Sequence, residues 1–101
     1  MIKEFPKTYE NKVLTDQLIR SVTSIGANDQ EADGVSSKRD FIHCYTVVRK
    51  EAKETLFWLR LLVELNEKYK QRMVLLLQEN SEIINIVSSI LKNASQAKQT
   101  S

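Results

Sequence analysis

Apolar residues recur at spacings of four and three through three separate stretches of the chain, and each stretch predicts an amphipathic α-helix. Leu14, Leu18, Val22 and Ile25 mark the first, over residues 12–33. Phe41, Tyr45, Val48, Ala52, Thr55, Leu59 and Leu62 form an unbroken heptad-like seam in the second, over residues 38–65. Tyr69, Met73, Leu76, Asn80, Ile83, Val87, Ile90 and Ala94 continue the rhythm in the third, over residues 67–94, with Asn80 the one polar member. Residues 1–11, with Pro6 and no sustained apolar period, read as an extended lead-in, and residues 95–101 as a frayed polar tail. Gly34 is expected to close the first helix in a left-handed conformation. Ser37 and Asp40 match a capping box opening the second, and Asn66 is a cap for the third.

Two helices of about 27 residues joined by a short turn must run antiparallel, each about 40 Å long. They carry more apolar surface than three helices need. On the second helix Cys44, Val47, Trp58, Leu61 and Leu65 face away from the seam, and on the third Val74, Leu77, Ile84 and Leu91 form a second stripe. A fourth helix or a neighbouring subunit should cover these faces, with Val47, Trp58, Leu61 and Leu65 as the oligomer or packing surface. The first helix poses the opposite problem. Its segment SVTSIGANDQEADG places Ser21, Ser24, Asn28 and Glu31 on one side, beside the small Gly26 and Ala27. This polar stripe is read as a packing device that lets another helix approach closely, with Asn28 and Glu31 hydrogen-bonding to the second helix and fixing register.

Composition narrows the class to a single all-α domain: 101 residues, 42% of them hydrophobic, include only two Gly and one Pro. One cysteine excludes an internal disulfide and suits a reducing compartment. The N-terminus lacks the apolar core of a signal peptide, and the oily run LFWLRLLVEL is too short to span a bilayer. A cytoplasmic protein with no membrane partner is therefore expected.

Three segments, LTDQLIRSVTSIGANDQEADG, SKRDFIHCYTVVRKEAKETLFWLRLL and LLQENSEIINIVSSILK, resemble the bacterial four-helix-bundle family of ribosomal-RNA intervening-sequence proteins. The accessory variability proteins of diversity-generating retroelements share that fold. The sharpest likeness lies in S-x-x-S-I-G-A-N-x-x-E-A followed by K-E-A-x-E-T-x-x-W-L-R-L-L. The resemblance implies an up-down bundle assembled into a ring, typically a homopentamer. In the retroelement branch it also implies binding of reverse transcriptase and nucleic acid through basic surface, and for the family at large no enzymatic reaction. Members usually have a further helix of about four or five turns ahead of the segment EFPKTYENKVLTDQ. Here that first helix is expected to be missing, either through a start set too late or a trimmed gene, or with a neighbouring chain in its place.

Net charge is only +2, from 15 basic and 13 acidic residues, so its distribution matters more than its size. Lys38, Arg49, Lys53 and Arg60 fall within about 60° on the second helix, a basic row about 33 Å long. Repeated around a ring, such a row could neutralise many phosphates together. The competing reading is a solvated face or subunit rim whose cations pair with Glu51, Glu54 and Glu64. Other chemistry is thin. His43 and Cys44 point about 100° apart and imply no metal site. Glu31, Glu51 and Glu54 lack any accompanying catalytic motif, and Trp58 and Tyr45 at helical spacing read as packing residues rather than base-stacking platforms. Neither cofactor, metal nor small-molecule substrate is implied. The chain reads as an oligomeric protein binding RNA or a nucleic-acid and reverse-transcriptase complex, with a purely structural or protein-interaction oligomer as the alternative.

Overall fold

The computed structural model describes the backbone of residues 5–100 and the side chains of residues 5–95. Three long helices account for almost all of it: α1 (Tyr9–Gly34), α2 (Lys38–Leu65) and α3 (Lys70–Thr100), the last preceded by a short 3₁₀ turn at Glu67–Tyr69. The molecule is elongated, 53 × 21 × 15 Å. No strand occurs among the described residues.

Side chains at the helix ends explain where each helix starts. Thr8 caps α1 through its Oγ1, which accepts from the Asn11 amide at 3.1 Å. Ser37 caps α2 by accepting from the Asp40 amide at 3.1 Å, as the S-K-R-D spacing predicts. Gly34 departs from expectation: it is the last helical residue, no glycine has a positive φ among the described residues, and the chain leaves α1 through extended Val35. Asn66 acts on the other side of the turn from the one expected. It ends α2 by donating from Nδ2 to the Leu62 carbonyl at 2.8 Å, and its side chain caps nothing in the following turn. The tail also differs: helical backbone continues beyond Ala94 to Thr100, and Ser101 lies outside the described residues.

α2 is the central element. α1 and α3 both pack on it. At the lead-in end Leu14, Leu18, Leu59, Leu62, Val63 and Met73 are buried together with Phe5, whose ring lies 5.1 Å from that of Tyr69. Phe5 therefore plugs this end of the bundle, and the described part of the lead-in is tied down by it. At the far end Val48, Val87 and Leu91 form a second cluster, against which Ile25, Ile42 and Tyr45 pack.

Buried polar contacts connect and separate these clusters, and they fix the axial register of the helices. Asn11 and Asn66 exchange two amide hydrogen bonds, at 3.0 and 2.8 Å. Ser21, fully buried, accepts at 2.8 Å from the Thr55 hydroxyl. Asn80, the one polar member of the third seam, donates to the Ala52 carbonyl at 2.8 Å. A slip of either outer helix by one residue would strand these groups in an apolar interior.

The polar stripe of α1 thus locks register through Ser21, not through the residues expected to do so. Asn28 donates to the Ser24 carbonyl of its own helix, and Glu31 is exposed without a hydrogen bond among the described residues. The stripe winds off the interface towards its C-terminal end. Gly26 and Ala27 are exposed as well, and a Cβ built on Gly26 meets nothing within 4 Å. Gly26 therefore makes no close helix approach. We expect Gly26→Ala to raise stability by about 1 kcal/mol in chemical denaturation, because it removes backbone entropy from the unfolded chain without a clash.

The apolar excess seen along the sequence remains uncovered. On α3 the buried row is Met73, Asn80, Val87 and Leu91, while Leu76 and Ile83 of the expected seam turn outward beside exposed Leu75 and Ile86. Leu76 and Ile83 face Val22 across a groove between α1 and α3, floored by Leu18 and Leu59. No fourth helix occupies that groove among the described residues. Residues 67–95 are also long and apolar enough to cross a membrane by length and composition alone. Their inner face packs on α2, and Glu79 and Glu82 lie near their middle, which fits a bundle helix with one open side.

Candidate nucleic-acid interface

The four cations expected to form a row on α2 do lie on its outer side, and none of the acids expected to neutralise them pairs with one among the described residues. Lys38, Lys53 and Arg60 are exposed and Arg49 is half-buried. None of the four makes an ion pair among the described residues. Glu51 and Glu54 turn instead towards α1, where Arg20 spans them: its Nη2 is 2.8 Å from Glu54 Oε2 and its Nη1 is 3.4 Å from Glu51 Oε2. Glu64 stands over an apolar cleft lined by Tyr9, Val13 and Leu65, with Glu10 on the same cleft. Glu51 and Glu54 are thereby engaged on the α1 side, where Lys50 also lies near them.

The Arg20 network divides its two carboxylates. Burial holds the Glu51 carboxyl above its ordinary range, and Glu54 beside it pushes the same way. The guanidinium holds Glu54 below its ordinary range. Ionising Glu51 costs folded-state stability as pH rises from the ordinary carboxylate range through its raised value. Glu54 contributes stability present above the ordinary range and lost as pH falls through its lowered value. Glu51→Gln is therefore expected to melt higher than the parent at neutral pH, with the difference vanishing below the ordinary carboxylate range; a thermal melt series across pH checks this.

Two surface residues complete the basic face that the sequence row leaves out. Lys92 of α3 shares a cleft with Arg49, adding a cation from a second helix. Phe57 is 53% exposed and sits one turn from Lys53 and three residues before Arg60. Its ring meets that of Trp58 edge-on, 4.9 Å between centroids, and its exposed surface is open to stacking. Trp58 and Tyr45 are held as packing residues. Trp58 lies against the apolar cluster at the lead-in end, and the Tyr45 hydroxyl donates to Asp29 Oδ1 at 2.8 Å. A helical wheel could have separated Phe57 from Trp58, since only the latter turns towards α1. Lys92 needed the α2–α3 packing to place it.

The expected oligomer face divides in two. Val47, Trp58 and Leu61 are half-buried, Trp58 and Leu61 against the core cluster, whereas Leu65 is exposed beside Tyr9 and Val13. α1 thus covers part of the surface that a fourth helix or a neighbouring subunit was expected to cover. Potential reactive groups do not converge. His43 is exposed, whereas Cys44 is buried and burial pushes its thiol above the ordinary range. No three His, Cys, Asp or Glu side chains are placed to hold a metal ion among the described residues.

Comparison with curated proteins finds no match. Among solved structures, the chain is similar to a protein of unknown function from the S23 ribosomal protein family of Bacteroides thetaiotaomicron VPI-5482. The two are 34% identical with a TM-score of 0.75, and the alignment covers 90% of this chain and 81% of that one. The family model for 23S rRNA-intervening sequence proteins matches residues 1–89. Sequence, fold and family match agree, and the chain belongs to the 23S rRNA-intervening sequence protein family.

Proposed function

We propose that this protein is a non-enzymatic, cytoplasmic RNA-binding module that presents the outer face of α2 to structured RNA. One observation carries the reading: Lys38, Arg49, Lys53 and Arg60 form a row of cations without ion pairs among the described residues, while Glu51 and Glu54 pair with Arg20 on another side of the helix. An unneutralised row along a rigid helix suits the regular charge of a phosphate backbone. Exposed Phe57 beside the row supplies a surface on which an unpaired base can stack. The family name, with its reference to 23S rRNA, supports the same class of partner.

Self-association belongs to this reading. Leu65, Tyr9 and Val13 leave an apolar cleft open on the α1 side of α2, where subunits can meet. A homopentameric ring repeats the row around one assembly and multiplies its grip on RNA. The retroelement role, with a reverse transcriptase as additional partner, would use the same two surfaces. The test is retention of a structured RNA at increasing salt together with the mass in solution. The reading expects an oligomer whose RNA affinity falls steeply with salt. A stable oligomer indifferent to RNA would favour the purely structural alternative, which the exposed apolar cleft also supports.

A further inference from the structure

We infer that the cleft between α2 and α3 is a phosphate-binding site that seats one backbone phosphate of the RNA, a deepening that rests on the function proposed above. Its volume is about 280 Å³, and Thr46, Arg49, Ser88, Lys92 and Ser95 line it. The placement follows from the two helical repeats. Ser88, Lys92 and Ser95 stand at i, i+4 and i+7, one edge of α3, facing Thr46 and Arg49 at i and i+3 on α2. Ile42 and Leu91 lie beneath, so the polar groups converge over an apolar floor.

The donors suit a phosphodiester. Arg49 offers a planar fork that can grip both non-bridging oxygens, and Lys92 a point charge from the opposite wall. The Ser88 and Ser95 hydroxyls make no hydrogen bond among the described residues and are free to donate. Thr46 is the exception, since its hydroxyl already donates to the Ile42 carbonyl at 2.7 Å; it shapes the wall without contributing a proton. No carboxylate lines the cleft, so nothing there repels an anion. Arg49 is half-buried, so its stem is fixed against the helix pair while the fork reaches the cleft. The site also joins α3 to the basic row of α2, so one RNA strand can follow the row and anchor across the helix pair.

The test uses inorganic pyrophosphate as the probe, followed by amide chemical shifts of the isotopically labelled protein, and then a structured RNA. The expected result is saturable shifts confined to residues 46–49 and 88–95. Lys92→Gln should weaken pyrophosphate binding about tenfold, and its salt slope for RNA should be shallower by about one. Ser88→Ala should weaken binding in the same direction while leaving charge unchanged, and an unaltered melting temperature in both variants shows that the fold is intact. Shifts that fail to saturate, or that are unchanged in Lys92→Gln, overturn the site. RNA binding that is normal in Lys92→Gln and lost on reversing Lys53 and Arg60 overturns the cleft and leaves the α2 row standing. Saturable pyrophosphate binding in a protein that ignores RNA upholds the anion site and overturns the RNA reading.

Discussion

Asn66→Ala is expected to lower unfolding free energy by about 3 kcal/mol, a large share of what a domain of this size possesses. Asn66 is buried at the turn between α2 and α3. Its Nδ2 donates both to the Leu62 carbonyl and to Asn11 Oδ1, and its own Oδ1 accepts from Asn11. Truncation removes the side-chain bond to the Leu62 carbonyl at the end of α2 and leaves a buried amide on α1 without its partner, which costs more than the bonds themselves contribute. Asn11 is left with the Pro6 carbonyl at 2.8 Å, so the lead-in that carries Phe5 is loosened in turn. The check is a double-mutant cycle by chemical denaturation. The pair Asn11→Ala and Asn66→Ala together should cost clearly less than the sum of the two single changes, because the second truncation removes a group that the first has orphaned. Additive costs would mean that the two amides do not hold α1 and α2 in register.

The second large effect falls on binding. Reversing Arg49 and Lys53 to glutamate should weaken a structured RNA by roughly a hundredfold at moderate salt, since each change removes an attraction and adds a repulsion. Lys53 is exposed, Arg49 is half-buried at an open cleft, and neither makes an ion pair among the described residues, so the fold should tolerate the change. Reversing Glu54 to lysine is the informative contrast. It breaks the contact with Arg20 and adds positive charge to the α1 side, and it should disturb stability more than RNA affinity.

The helices and their order were legible in the sequence because the apolar period is regular and Ser37 marks the start of α2 without ambiguity. The inner face of α2 was legible for the same reason: Val48, Ala52, Thr55, Leu59 and Leu62 are all buried. α3 was harder. It is apolar on two adjacent stripes, and only packing shows that Leu77, Ile84 and Leu91 turn inward in place of Leu76 and Ile83. The stripe of α1 misled through its length. Ser21, Ser24, Asn28 and Glu31 share a side by spacing, yet only Ser21 sits where α2 presents a hydroxyl at the right height. Proximity in sequence also suggested Glu51 and Glu54 as partners for the cations around them. Arg20, 31 and 34 positions away, reaches them from another helix, and that contact lies outside any local pattern. Lys92 escaped for the same reason.

The salt dependence of RNA binding tests the central claim most directly, measured on the parent protein and on the variant with Arg49→Glu and Lys53→Glu. The four α2 cations in contact with phosphates contribute about −3 to −4 to the logarithmic slope per protomer, and the slope should be shallower by about two in the variant. An affinity that ignores salt, or a slope that survives both reversals unchanged, would contradict the assignment of RNA binding to the outer face of α2.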